Sequence, residues 1–193
     1  INGFFLTHPN NNWLNTSHVD NTTDTAAYID IPNSDIFDIA TGDFTIECWL
    51  KYTCTNIGSA YNVAVSCGNG VGGTGFAIAT HTDGDIRFVI NATVVNNNSL
   101  SNVGEWYHVV GLRTAGTAYL YINNAAIHNL SSGNVGNTIT NTTGFTIGKS
   151  AATDNKNYND AVDDVRFYNR ALSTAEIAKN YRHGTAKHKP LGS

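Results

Sequence analysis

The residues best suited to chemistry lie between Asp154 and Asp164, in the segment DNKNYNDAVDD, where carboxylates and side-chain amides crowd together. Hard oxygen donors at this density suit a cation such as calcium. The loop glycine and the closing glutamate of an EF-hand are both missing, so a site here would need ligands from elsewhere in the chain. Acids for general acid and base work are scarce. Glycoside hydrolysis needs two carboxyl groups close together, yet the only glutamates are Glu47, Glu105 and Glu176, and none has an acidic residue two positions away. Asp83 and Asp85 straddle Gly84 in what reads as a turn and point to solvent. The expectation is a chain that is not an enzyme.

Other constellations read as structure. There are seven histidines, but no pair has the spacing of a helical zinc motif. His108 alternates with Trp106, Val110 and Leu112 and is expected as a hydrogen-bonded core histidine. GNGVGG, Gly68 to Gly73, satisfies G-x-G-x-x-G, but Phe76 and Ile78 continue as a strand where a dinucleotide site requires a helix. No G-x-S-x-G occurs. Cys48 falls in the alternation Phe44, Ile46, Cys48, Leu50 and faces the core; Cys54 and Cys67 end two strands joined by a loop, within reach of a bridge in an oxidising compartment. Trp13, Tyr61 and Tyr158 fall in predicted loops, where their rings either stack on sugar faces or pack locally.

Charged residues make up 13% of the chain, while Asn and Thr number 26 and 23. Such a surface is polar but largely uncharged, which suits neutral sugars or packed neighbours, because little charge must be desolvated. With a net charge of −4 it does not suit nucleic acid. Within that total, residues 1–176 carry 7 − 15 = −8 and the remainder +4, from Lys179, Arg182, Lys187 and Lys189. The basic end is either a solvated tail or one that docks on an acidic face of a neighbouring subunit. No apolar run approaches the roughly 18 residues of a membrane span. The chain begins at Ile1 and contains no Met, which points to an upstream segment removed or omitted.

Positioning these residues falls to short strands of period two: Ala27 to Ile31, Phe44 to Tyr52, Phe76 to Ile78, Ile86 to Ile90, Trp106 to Arg113, Ala118 to Ile122, Phe145 to Gly148 and Val162 to Tyr168. Asp83-Gly84 predicts a two-residue hairpin turn, and Ala115-Gly116 and Asn123-Asn124 two more. Near the C-terminus Ser173 and Glu176 have the spacing of a capping box, and Gly184 reads as the helix stop. The fold class expected is all-β: a two-sheet antiparallel jelly-roll sandwich with a short C-terminal helix.

Three stretches carry a resemblance: DFTIECWLK from Asp43, GEWYHVVGLRTAGTAYLYINN from Gly104 and DDVRFYNRALSTAEIAKNY from Asp163. In this order they resemble the laminin G-like, concanavalin A-like jelly rolls. The resemblance implies a scaffold for binding and adhesion more often than catalysis, with the helix closing one edge of the sandwich. Hydrolases of that fold carry Glu-x-Asp-x-Glu on one strand, a motif this chain lacks. Several members hold calcium through the aspartate at the position of Asp163 together with carbonyls near the N-terminal strand. Asp20 and Asp24 lie in the region that would face it, and Asp160 stands where glycine is usual. The metal candidates are therefore Asp163, Asp20, Asp24 and Asp160, with calcium the expected ion.

The domain organisation expected is an arm at 1–18, a jelly roll at 19–182 and a basic tail at 183–193. The arm's Phe4-Phe5-Leu6 needs cover. It either folds back as an extra edge strand or reaches across to an adjacent subunit. The function expected is a non-catalytic structural or adhesive subunit of a surface assembly, virion or extracellular filament, with other subunits and glycans as partners. The alternative is a lectin-like carbohydrate-binding module of a secreted protein.

Overall fold

The computed structural model describes residues 3–6, 14–15, 28–52, 60–69, 71–97, 101–130, 135–140, 143–152, 156–158 and 160–188. Among these, two antiparallel sheets stack face to face, with strands numbered in chain order. The seven-stranded sheet runs β1 (Gly3–Leu6), β13 (Ala161–Tyr168), β4 (Phe44–Lys51), β9 (Trp106–Thr114), β10 (Thr117–Ile122) and β11 (Ala125–Leu130), and β2 (Leu14–Asn15) also pairs with β13. The six-stranded sheet runs β3 (Ile29–Ile31), β12 (Phe145–Ile147), β5 (Tyr61–Gly68), β6 (Gly75–His81), β7 (Ile86–Ile90) and β8 (Thr93–Asn96). Among the described residues one α-helix, α1 (Thr174–Thr185), follows β13. The all-β sandwich with a short C-terminal helix is the fold class expected from the sequence.

Alternation builds the core. Phe44, Ile46, Cys48 and Leu50 of β4 point inward to Phe76 and Ile78 of β6, Phe88 of β7, Phe145 of β12 and Phe167 of β13. The Phe76 and Phe167 rings stack at 6.0 Å across the two sheets. Inward-facing Gly111 of β9 leaves room for this layer, since a Cβ there would overlap the Phe88 ring. Gly111→Ala is expected to lower stability by about 1–3 kcal/mol through overpacking. A melting temperature within a degree of wild type would show instead that Phe88 swings aside without loss.

The outward side chains of β4 are buried as well, because α1 lies across that face. Ile177 packs with Val110, Leu112, Tyr168 and Leu172. Thr45 Oγ1 accepts from Leu172 N at 3.0 Å and donates to Arg170 O at 2.9 Å, fixing the chain as it enters the helix. The capping box of Ser173 and Glu176 forms as expected. Two helix expectations are corrected. The helix covers a sheet face rather than an edge, and Gly184 lies inside it rather than stopping it. The reason is contact: a Cβ on Gly184 would collide with the Trp49 indole.

The turns Ala115-Gly116 and Asn123-Asn124 close two-residue hairpins, with all four residues at positive φ. The Asp83-Gly84 loop is longer than expected. His81 N donates to Asp85 O at 2.9 Å and Gly84, at φ 102°, donates to His81 O at 3.1 Å. The arm takes the intramolecular alternative, Gly3–Leu6 pairing with Val165–Tyr168 of its own β13. Cys67 is a free thiol buried in the core, as is Cys48; Cys54, its expected bridge partner, lies outside the described residues. Desolvation pushes the Cys67 thiol up to about 12 and makes it inert.

Candidate functional site

The residues around Asp163 are positioned by a bulge in β13. Asp163 pairs with Trp49 and Arg166 with Glu47, so two residues of β13 oppose one of β4. Successive strand residues normally point to opposite faces. Here Asp164, at φ +49°, breaks the alternation, and both aspartates reach the face under α1. After the helix, Lys187 N and His188 N donate to Gly184 O at 2.9 and 3.1 Å, turning the chain back over the bulge. Lys187 Nζ then lies 2.8 Å from Asp163 Oδ2 and 3.2 Å from Asp164 Oδ1. His188 stacks on Trp49 at 4.4 Å, with Trp106 at 4.6 Å, and its Nε2 is 3.5 Å from Asp163 Oδ2. The His188 imidazole, 3.9 Å from Asp164 Oδ2, aided by the charges of Arg166 and Lys187 and opposed by burial, holds the Asp164 carboxyl at about 2. At Lys187 and His188 the basic tail closes on its own strand.

This geometry tests calcium. The ion takes roughly six to eight oxygen ligands. Around Asp163 the structure offers two carboxylates, an imidazole and an ammonium, which is not a calcium-like set. Asp160 faces Lys51 at 3.8 Å and accepts from Ala161 N at 2.8 Å. Asp20 and Asp24 lie outside the described residues. The described residues therefore do not fit calcium.

The aromatic candidates separate. Trp13 lies outside the described residues. Tyr158 is fully buried, its hydroxyl donating to Lys51 O at 2.7 Å, so it is a core residue and not a platform for a sugar. Tyr61 begins β5 rather than lying in a loop, and it is half-buried at the centre of a polar patch. Its hydroxyl accepts from Arg87 Nη1 at 3.0 Å, and its ring meets His81 edge-on at 4.8 Å. Arg87 pairs with Asp83 and, at 3.3 Å, with Asp85. Asn96 Nδ2 donates to Asp85 Oδ2 at 2.6 Å, and His81 Nδ1 lies 2.7 Å from Asp83 Oδ1. Desolvation is outweighed at Asp83 by the His81 and Arg87 donors, which hold its carboxyl below the usual range. Asp83 itself is exposed. The patch thus combines an aromatic ring with fixed carboxylate, amide and guanidinium groups at one end of the six-stranded sheet.

Two of the three glutamates, Glu47 and Glu176, are engaged structurally. Glu47 is fully buried beneath α1, where Oε1 accepts from Arg166 Nη1 at 2.8 Å, Asn180 Nδ2 at 2.9 Å and Tyr168 Oη at 3.2 Å. His108 is buried beside it, Nε2 at 3.4 Å from Oε2; it is a core histidine as expected, but neither ring nitrogen makes the hydrogen bond that was expected with it. Glu176 caps α1 and pairs with Arg170 at 2.7 Å. The sequence reading missed His188 and Arg87. The charge asymmetry around Glu176 signalled an acidic partner for the tail but not its identity. Arg87 sits four residues beyond Asp83, a spacing that carries no meaning across a hairpin until the turn is known.

A sequence profile of the concanavalin A-like lectin/glucanases superfamily, laminin G type, matches residues 23–178. No curated protein matches the chain in sequence. In structure the chain is similar to the binding domain of Paraclostridial mosquitocidal protein 1, at a TM-score of 0.61 and 18% identity over 82% of this chain and 41% of that one. It is also similar to the Ruminococcus gnavus IT-sialidase CBM40 bound to α2,3-sialyllactose, with a TM-score of 0.57 and 17% identity over 74% and 84% of the two chains. The native heptameric SAP-like pentraxin of Limulus polyphemus gives 0.54 and 18% over 72% and 69%. Identities this low speak for the fold alone. With the profile running from ahead of β3 into α1, and the sandwich shared with all three structures, the chain belongs to the concanavalin A-like lectin/glucanase superfamily.

Proposed function

We propose that this chain is a non-catalytic, lectin-like module that binds glycans outside the cell through the Tyr61 patch. The observation that carries this reading is the patch itself. A tyrosine ring supplies a face for a sugar's C–H groups, while Asp83, Asp85 and Asn96 offer acceptors and donors for hydroxyls, all held by mutual hydrogen bonds before a ligand arrives. Preorganisation of this kind lowers the ordering entropy lost on binding. Glu47 and Glu176 are used in packing and capping and the exposed Glu105 has no second acid beside it in sequence, which supports binding without turnover.

The reading as a structural or adhesive subunit, on a virion or an extracellular filament, keeps one supporting observation: β1 is an edge strand of the seven-stranded sheet. The arm and the tail lend it less, since β1 and His188 both dock on the chain's own β13. Sedimentation separates the readings, a monomer favouring the module and a closed oligomer the subunit.

The patch is tested by titrating ¹⁵N-labelled protein with α2,3-sialyllactose and with neutral gluco- and galacto-oligosaccharides. Shifts centred on Tyr61, Asp83 and Asn96 are expected, together with at least a tenfold loss of affinity in Tyr61→Ala and Asp83→Ala. Unchanged affinity in both variants, or shifts confined to other faces, would overturn the assignment.

A further inference from the structure

We propose that Asp163, Asp164 and His188 form a site for a divalent transition metal of the zinc class, and that Lys187 is the cation holding this site when no metal is bound. Two of the three groups come from the β13 bulge and the third from the turn after α1, beyond the 23–178 span of the family profile. All three residues are buried, with exposures of 8, 6 and 4%, and one ligand atom from each lies within 4.8 Å of the others.

Distances and donor chemistry agree on the class of ion. A tetrahedral ion bound at about 2.0–2.2 Å sets its ligand atoms about 3.4 Å apart. His188 Nε2 lies 3.5 Å from Asp163 Oδ2 and 3.9 Å from Asp164 Oδ2, so closing around such an ion requires shifts of a few tenths of an ångström at most along these edges. An imidazole nitrogen among two carboxylates favours zinc, cobalt or nickel over calcium and magnesium, which prefer all-oxygen sets. Trp49 stacks on the His188 ring and Trp106 lies against it, so its ring plane is set before any ion binds.

Lys187 Nζ touches both carboxylates from the rim, where its side chain is 32% exposed. It can swing into water without breaking the core. Exchange of its single charge for a divalent ion would neutralise both aspartates and leave a fourth coordination position toward solvent. The bound ion would tie the end of α1 to β13.

The proposal is tested on the full chain by calorimetric titration with ZnCl₂, and by the visible absorption of the Co²⁺ form. Wild type is expected to take up one equivalent, with the absorption of a four-coordinate site, and CaCl₂ is expected to give no uptake at this site. His188→Gln and Asp164→Asn should each weaken zinc binding at least tenfold. Lys187→Met should strengthen it at least tenfold, because the competing ammonium is gone. This last variant keeps the test decisive if the buried substitutions impair folding, since Lys187 lies at the rim. Zinc affinity unchanged in Lys187→Met, zinc uptake retained in a folded His188→Gln, or a Co²⁺ form without four-coordinate absorption would each overturn the proposal.

Discussion

Glu47→Ala is expected to lower stability by about 3–5 kcal/mol, the usual effect of removing one partner of a buried charged network. Arg166, Asn180 and Tyr168 all direct donors at this carboxylate beneath α1, and His108 is buried beside it. Tyr168 and His108 are buried and Arg166 and Asn180 partly so, which limits how far these groups can turn to water while the helix is in place. Glu47→Gln keeps an acceptor for one donor and loses the charge, so an intermediate loss is expected. Urea unfolding monitored by tryptophan fluorescence reads both, since Trp49 lies under the same helix. A loss below about 1 kcal/mol in Glu47→Ala, at unchanged m-value, would show that the network is not stabilising the helix contact.

The same carboxylate predicts acid sensitivity. Burial alone would raise the Glu47 pKa, but the His108 and Arg166 donors outweigh it and the net shift is downward from 4.5. A depressed acid contributes stability that is complete above its unfolded value and is lost as pH falls through its folded value. Asp164 acts in the same direction, from 3.8 to about 2, a contribution of about 2 kcal/mol. Stability should therefore fall below pH 4.5, and the fall should be shallower in Glu47→Gln.

The fold was legible because the core strands alternate. Phe44 to Leu50 and Trp106 to Leu112 show period two clearly, and the turns at Gly116 and Asn124 have residues that tolerate positive φ. Strands β8 and β11 escaped, since TVVN and AAIHNL lie largely half-buried or exposed and do not alternate apolar with polar residues. Tyr158 does lie in a loop, between β12 and β13, but the burial of its ring and the bond to Lys51 O depend on a strand far away in sequence and left no local signal. The Asp163 cluster was visible as a concentration of carboxylates, but their partners Lys187 and His188 were not, because only the tertiary path of the helix brings the tail to the bulge.

The bulge also explains why the face under α1 is polar at one end and apolar at the other. Val110, Leu112 and Ile177 pack where β9 meets the helix start. Farther along, Glu47, Asp163 and Asp164 meet Arg166, Lys187 and His188 where the helix ends. Cations in and just after the last turn of a helix also interact favourably with its dipole. The charges thus serve the helix and the sheet together.

Arg113→Met is expected to cost about 4–5 kcal/mol, at the upper limit for single substitutions. Arg113 is fully buried on the inner side of β9, without a carboxylate hydrogen-bonded to its guanidinium. In place of a counterion, it donates to the carbonyls of Ala40, Gly42, Val135 and Asn137 at 2.7–3.2 Å. Its guanidinium also lies 5.3 Å from the Phe44 ring centroid. Burial lowers its pKa, but an arginine remains charged throughout the accessible pH range. The four carbonyls belong to two loops, which meet at the bridge between Ala40 and Ile139. Removing the fork leaves carbonyls buried without donors, each worth about 1–3 kcal/mol where no water replaces the bond. Arg113→Lys is expected to recover little, because a single ammonium cannot span both loops with the geometry of a planar fork. Hydrogen exchange gives the local readout: the Ala40 and Ile139 amides, which donate to each other's carbonyls at 3.0 and 2.9 Å, should exchange much faster in Arg113→Met. If those amides stay as protected as in wild type, relative to global stability, the loops are held together by their own backbone bridge and the arginine serves only the core beneath them.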